Sequence, residues 1–321
     1  MRFYDIFNGD ADGLCALHQL RLADPRAATL ITGVKRDIAL LARVIPEPGD
    51  ELTVLDISLD ANRVALLGAL RIGARVRYFD HHFAGEIPHH RLLEAHIDTA
   101  PTICTSLIVD RHLQGRYRAW AVVAAFGDNL RTQAYSAASG LGLAAAEVET
   151  LRELGECLNY NAYGQELADL HFDPAELYLR MRPFADPLAF RAQLPEIEDL
   201  RRASAQDLQQ ALALRIENIG NSAVTVTMPD AAWSRRIAGT FANALAWRHG
   251  DRIVALLLRS GTGYQVSLRA PEHGGPAMHL LAQEFESGGG RARSAGIQFL
   301  PESDVARFMA LLARYSATAP D

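Results

Sequence analysis

The sequence predicts an α/β protein: a parallel-sheet domain with flanking helices, joined by a helical linker to a smaller α/β C-terminal domain. Three observations carry this. Short apolar, strand-like runs alternate with helical patterns over the first eighty residues, prolines crowd between Asp173 and Pro195, and a second strand–helix alternation begins at Ala223. Strand–helix alternation implies right-handed crossovers and a sheet covered by helices. The expected divisions are 1–185, a linker over 186–220, and 221–321. At 321 residues the chain is longer than one hydrophobic core usually fills.

Taken in order, Arg2 to Phe7, Thr29 to Thr32, Leu52 to Leu55 and Val76 to Phe79 read as strands, each short and apolar or β-branched. Between them Leu14 to Leu22, Ile38 to Val44 and Asn62 to Leu70 repeat leucine, alanine and valine at helical spacing. Residues 103–170 read mostly helical, with Ser106 to Leu113, Ala119 to Phe126 and Leu143 to Leu158 the clearest stretches. Pro174, Pro183, Pro187 and Pro195 mark a change, and Glu196 to Asn218 reads as a connecting helix. The second unit is expected as strand Ala223 to Met228, helix Ala231 to His249, and strands Arg252 to Arg259 and Tyr264 to Arg269. Gly261-Thr262-Gly263 forms a hairpin turn between those two strands. Helix Ala277 to Phe285, a glycine-rich turn and helix Asp304 to Tyr315 follow.

Composition narrows the function. The formal charge of −6 gives no basic surface on which to track long nucleic acid, so phosphate recognition should be local, built from a few arginines. Cys15, Cys104 and Cys157 are too few and scattered for a disulfide framework or a zinc site and read as reduced core residues. No window reaches eighteen apolar residues and no signal-type stretch opens the chain, so no membrane contact is expected and the cytoplasm is the default.

The acids fall in an informative place. Asp10 and Asp12 follow the first strand, Asp56 follows the third, and Asp80 ends the fourth in Asp80-His81-His82. In an open parallel sheet the carboxyl ends of the strands face the ligand crevice. One aspartate after a strand is most often a helix cap, but three strand ends delivering acids and imidazoles to one side are not explained by capping. Carboxylates converging with no evident lysine or arginine partner repel one another, and a divalent cation relieves that. Oxygen ligands with imidazole and no thiolate suit Mn2+ or Mg2+. Two ions about 3.5–4 Å apart could share one carboxylate, for which Asp56 is the expected bridge.

These residues resemble the DHH phosphoesterase superfamily, whose naming motif stands here as Asp80-His81-His82. Asp10-Ala11-Asp12-Gly13 is similar to its first motif, Asp56 to the second, and Asp128 in Phe126-Gly127-Asp128-Asn129 to the fourth. Val266-Ser267-Leu268-Arg269 and the run Gly288-Gly289-Gly290-Arg291 to Gly296 resemble the DHH-associated C-terminal domain. The resemblance implies that Asp10, Asp12, Asp56, His81 and Asp128 hold two Mn2+ or Mg2+ ions, that Asp80 orients a histidine, and that His82 lies near the substrate phosphate. It further implies that Arg269, Gly288, Gly289, Gly290 and Arg291 grip the substrate. Glycines let backbone N–H groups approach an anion, and arginine reads phosphate bidentately. Asn8, two residues before Asp10, is grouped with the substrate-binding residues.

Two positions depart from the family pattern. Ile6 stands where many relatives have a histidine four residues before the first aspartate, which puts one metal site in doubt. Arg291 stands where the glycine motif usually has histidine. The resemblance implies a nanoRNase-like, metal-dependent phosphodiesterase that cuts very short linear oligonucleotides, dinucleotides such as pGpG, to mononucleotides. The alternatives are a pAp-type nucleotide phosphatase, or a nucleotide-binding module without turnover. A homodimer is compatible with the sequence. Of the remaining candidates, His89, His90 and His96 read as loop residues. Thr105 or Ser106 reads as a helix cap or a phosphate contact, and Trp120, Trp233 and Trp247 read as core.

Overall fold

The computed structural model describes residues 1–317 and divides into two compact units, Met1–Arg202 and Ala203–Asp321. The first opens with β1 (Phe3–Phe7), α1 (Ala11–Ala23), β2 (Thr29–Ile31), β3 (Glu51–Leu55), α2 (Leu59–Ile72), β4 (Arg75–Asp80) and β5 (Leu93–Ile97). Helices α3 (Thr105–His112), α4 (Arg118–Gly127), α5 (Arg131–Ala138), α6 (Ala145–Ala162), α7 (Pro174–Met181), α8 (Pro187–Gln193) and α9 (Pro195–Leu212) follow. All five strands run parallel in the order β2-β1-β3-β4-β5. One face of this sheet packs Ile6, Leu52, Val54, Val76 and Tyr78 against Leu66, Ala69 and Leu70 of α2. Each fully buried aliphatic or aromatic side chain there contributes roughly 1.5–3 kcal/mol. Helix α1 is buried along nearly its whole length and packs against α3, α4 and α6.

Local chemistry explains where the elements begin and end. Ser58 caps α2 and Gly73, in the left-handed region, closes it. The prolines that read as a break each start a helix: Asp173 caps α7 at Pro174, Asp186 caps α8 at Pro187, and Pro195 opens α9. Proline suits a first helical turn because its missing N–H has no intrahelical partner there. The division between the units falls within α9.

Three expectations change in the first unit and its connector. The helix expected over Ile38 to Val44 is a single 3-10 turn, Leu40–Arg43. Asn62 of α2 is the reason: its side chain receives the Leu41 N–H and donates to the Ile38 carbonyl, groups that a longer helix would have paired internally. His96, read as a loop residue, lies on β5, an edge strand whose alternating Glu94 and His96 hid it from a search for apolar runs. The connecting helix stops at Leu212, and residues 216–219 are already a strand.

That strand, β6 (Ile216–Ile219), opens the second unit. It continues through β7 (Ala223–Met228), α10 (Ala232–Arg248), β8 (Ile253–Ser260), β9 (Gly263–Arg269), α11 (Met278–Ala282), β10 (Gly288–Gly290), β11 (Ser294–Pro301) and α12 (Val305–Ala317). The sheet order is β10-β11-β9-β8-β7-β6; β7 and β8 are parallel and every other pair is antiparallel. Ser260 pairs with Gly263, so Gly261-Thr262 is the two-residue hairpin turn that the sequence announced. Ala255 and Leu257 of β8 join Val266, Leu268, Met278, Leu281, Phe308 and Leu312 in one core, while α10 packs on β8 and β9. The glycine-rich segment is an edge strand and not a turn. A Cβ on Gly288 would stand 1.7 Å from the Ala282 carbonyl oxygen, so only glycine lets β10 lie against the end of α11.

Candidate metal centre

The sheet order reverses between β1 and β3, and that reversal opens a crevice at the strands' carboxyl ends. Asp10 and Asp12 stand after β1 on one side of it, Asp56 after β3 on the other, and Asp80 ends β4. Asp128 arrives from the helical layer at the end of α4. It reaches α1 because Gly127 and Gly155 allow close approach: a Cβ on Gly127 would lie 2.4 Å from the Ala11 Cβ, and one on Gly155 2.1 Å from the Val123 carbonyl.

Asp10, Asp12 and Asp56 are held by backbone or hydroxyl groups. Asp10 caps α1, its Oδ1 receiving the N–H groups of Asp12 and Gly13 at 3.0 Å each. Asp12 receives the first two N–H groups of α3, Thr105 on Oδ2 and Ser106 on Oδ1, both at 2.7 Å. A helix N-terminus favours an anion at this place. The Thr105 hydroxyl donates to Asp56 Oδ1 at 3.0 Å. Asp56 itself sits at φ 59°, a left-handed conformation that non-glycine residues adopt at a cost and that recurs at functional sites.

The two histidines are oriented by their Nδ1 atoms. His81 donates from Nδ1 to the Ile103 carbonyl at 2.9 Å, which leaves the Nε2 lone pair facing Asp56 Oδ1 at 3.5 Å and Asp128 Oδ2 at 4.0 Å. His82 Nδ1 bonds Asp80 Oδ1 at 2.7 Å and lies 4.0 Å from Asp56 Oδ1. Ligand atoms of Asp12, His81 and Asp128 fall within 4.8 Å of one another, and so do those of Asp56, His81 and His82. Backbone or carboxylate partners on the far nitrogen are what metal-binding histidines use to fix tautomer and direction.

The charges are not balanced by the acids' own environment. Burial, then repulsion from Asp12 and Asp10, raises the Asp56 pKa well above the carboxylate range. Burial also pushes Asp128 up to about 6, with Asp12 and Asp10 adding to the rise and Lys35 opposing it. For Asp10 burial acts upward too, but the Lys35 ammonium outweighs it and brings the group to about 2. His82 loses basicity to burial and regains more from Asp80, so its pKa ends above the usual histidine value.

Lys35 corrects the expectation that the acids converge without a basic partner. Its Nζ lies 2.6 Å from Asp10 Oδ2, 3.3 Å from Asn159 Oδ1 and 3.5 Å from Asp128 Oδ1. It is the one lysine in a chain whose lysines and arginines total 32, and that solitary residue was the available signal. Asn159 of α6 and the pair Thr105 and Ser106 complete the surroundings. Thr105 and Ser106, read as a cap or a phosphate contact, serve instead to hold Asp12 and Asp56.

The residues expected to bind substrate are placed differently. Asn8 is buried and spends its carboxamide on the chain, donating to the Lys35 carbonyl at 3.0 Å and accepting from the Asp10 N–H at 3.3 Å. Asn8 thus helps to shape the loop that carries Asp10. Arg269, Gly288, Gly289, Gly290 and Arg291 all belong to the second unit. Arg269 donates to Asn243 Oδ1 and the Leu268 carbonyl. Gly288, Gly289 and Gly290 floor a groove with Ser267, Gln265 and Gly296. Arg291 is exposed in the β10–β11 hairpin, its N–H bonded to the Ser294 carbonyl. Of the tryptophans read as core, Trp120 is fully buried but Trp247 is 87% exposed at the end of α10.

The donor set fits a hard divalent cation: aspartate oxygens, one or two imidazoles and no thiolate. Cys15 and Cys104 lie near the acids, but burial and the neighbouring Asp12 push both thiols well above their usual pKa.

Residues 220–318 match the DHHA1 domain family. An exonuclease RecJ bound to manganese has a TM-score of 0.63 and 16% identity, with 100% of this chain and 91% of that one covered. RecJ from Thermus thermophilus in complex with Mn2+ gives 0.58 and 17%, covering 100% of this chain and 52% of the other. PggH, a pGpG-specific phosphodiesterase from Vibrio cholerae, gives 0.57 and 14%, covering 98% of this chain and 99% of the other. At these identities the likeness is one of fold. No curated protein matches the sequence. The second unit thus matches the DHHA1 domain family, and the chain as a whole shares its fold with these structures.

Proposed function

We propose that the chain is a metal-dependent phosphoesterase acting on short linear oligonucleotides, with dinucleotides such as pGpG as the preferred class. The observation that carries this is the convergence of Asp12, Asp56, His81 and Asp128 at the strand-end crevice, with Asp56 and Asp128 held above their ordinary pKa by burial and by the neighbouring carboxylates. Those four residues would hold the divalent ion. When bound, the ion supplies charge stabilisation to phosphoryl oxygens and lowers the pKa of a water.

The chain's own groups do the rest. Thr105 and Ser106 fix the direction of Asp12 and Asp56 before a cation arrives. Asp80 holds His82 by Nδ1 and raises its basicity, which leaves Nε2 to carry a proton to a phosphate oxygen or a leaving oxygen. Gly289, whose added Cβ would meet open space, and the exposed Arg291 are assigned to the substrate's non-reacting end.

The pGpG-specific enzyme among the solved structures supports the dinucleotide reading, as does the charge of −6. A RecJ-like exonuclease is a competing reading that chain length does not set apart, since a RecJ chain is 91% covered. The test is incubation with Mn2+ and linear RNAs of two to ten nucleotides. Mononucleotides released fastest from the dimer, and at least about a hundredfold more slowly by His82→Ala, are expected. Preferred attack on the longest RNAs would favour the exonuclease, phosphate release from pAp alone the phosphatase, and binding without hydrolysis in any metal a nucleotide-binding module.

A further inference from the structure

The acid cage already contains a cation of its own. Lys35 is the single lysine among 32 basic side chains, and it stands beside Asp10. We propose that the Lys35 ammonium occupies one of the two cation positions of the cage, so that the centre takes one divalent ion, on Asp12, Asp56, His81 and Asp128. The proposal rests on the metal-dependent reading above and replaces the expected pair of ions with one ion and one ammonium.

Three observations lead to it independently of any activity. First, the ammonium has a built seat. Its Nζ faces oxygens of Asp10, Asn159 and Asp128 and lies 5.7 Å from the Tyr163 ring centre. Its backbone is pinned from both sides, the Lys35 N–H donating to the Ala162 carbonyl and the Lys35 carbonyl accepting from Asn8. Asn159 is itself oriented by a hydrogen bond to the Tyr163 hydroxyl.

Second, Asp10 already has its counter-ion. Two backbone N–H groups occupy its Oδ1 and Lys35 occupies its Oδ2. Third, Ile6, on the strand leading to Asp10, supplies no ligand: it is fully buried in the core between Leu52, Val54 and their neighbours. The use of lysine also makes chemical sense. An ammonium is a compact point charge that can stand where a metal ion would, whereas the planar fork of arginine, this chain's choice everywhere else, cannot.

Metal counting tests the proposal. Metal-free protein is equilibrated with excess Mn2+, freed of unbound ion and analysed for manganese per chain. One ion is expected for the wild type and two for Ile6→His/Lys35→Met, which empties the seat and restores an imidazole. Two ions in the wild type, or still one in the double variant with its circular dichroism unchanged, would overturn it. A second readout needs no substitution. The 15N-labelled protein has one lysine ammonium, and its hydrogen-bonded signal should persist when Mg2+ saturates the site; its loss on adding Mg2+ would mean that an ion displaces Lys35 and would refute the proposal. A chain that binds one ion, keeps that signal and hydrolyses nothing would refute the phosphoesterase reading alone.

Discussion

At the residue scale the site depends on a few side chains in conformations that stability alone would not select. Asp56 combines a left-handed backbone with a buried carboxylate among four other acids. Asparagine tolerates that backbone and carries no charge. Asp56→Asn should therefore melt, without metal, at or above the wild-type temperature. Mn2+ at a hundred times its Kd should stabilise the wild type by about 2.7 kcal/mol and the variant by far less. Thermal melts with and without Mn2+ check this, and an unchanged Mn2+ shift in the variant would remove Asp56 from the cage. The acids and histidines were legible in the sequence because they fall at strand ends in a recognisable order. The parts played by Lys35, Asn159, Thr105 and Ser106 were not, because these residues come from segments remote in sequence and meet the acids and one another only in space, through an ammonium, a carboxamide, a hydroxyl and backbone amides. The part Asn8 plays in the loop was hidden for a related reason: position beside Asp10 does not reveal that its carboxamide bonds the Lys35 carbonyl and the Asp10 N–H.

At the element scale the regular parts followed from periodicity and the exceptions from single side chains. Strands β1, β3 and β4, helices α1 and α2, and the β8–β9 hairpin lie close to where apolar runs and turn residues put them. The 3-10 turn at Leu40–Arg43 escaped because Asn62 captures its backbone groups, a tertiary effect with no local signature. Strand β10 escaped because three glycines read as a turn, while their pairing with Ala295 to Ile297 is visible only in space. The glycines are not equivalent. Gly288→Ala should cost about 1–3 kcal/mol through collision with the Ala282 carbonyl. Gly289→Ala meets nothing within 4 Å and should cost no more than about 0.5 kcal/mol. Chemical denaturation of the two variants measures the difference, and equal losses would contradict the placement of β10 against α11.

At the scale of the whole molecule, no helix among the described residues is long and apolar enough to cross a membrane. Burial also makes stability depend on pH. His18 of α1 is enclosed against Trp120 and Tyr178 and donates from Nε2 to the Phe184 carbonyl at 2.7 Å. Burial lowers its pKa to about 4, against 6.5 for a free histidine. As pH falls through 6.5 the unfolded chain takes up the proton first, so stability present above pH 6.5 drains away down to pH 4. The full loss from this residue is about 3 kcal/mol. Between those pH values His18→Gln should show a flatter stability curve than the wild type. Parallel curves would place the titration elsewhere.

The central claim is that acids from β1 and β3 and from the end of α4, with His81, form a seat for a divalent cation. Anomalous scattering from a crystal of the protein soaked in Mn2+ tests it most directly. The account predicts a manganese peak within coordination distance of Asp12, Asp56, His81 Nε2 and Asp128. A well-ordered, Mn2+-saturated crystal with no peak among those four residues would contradict it.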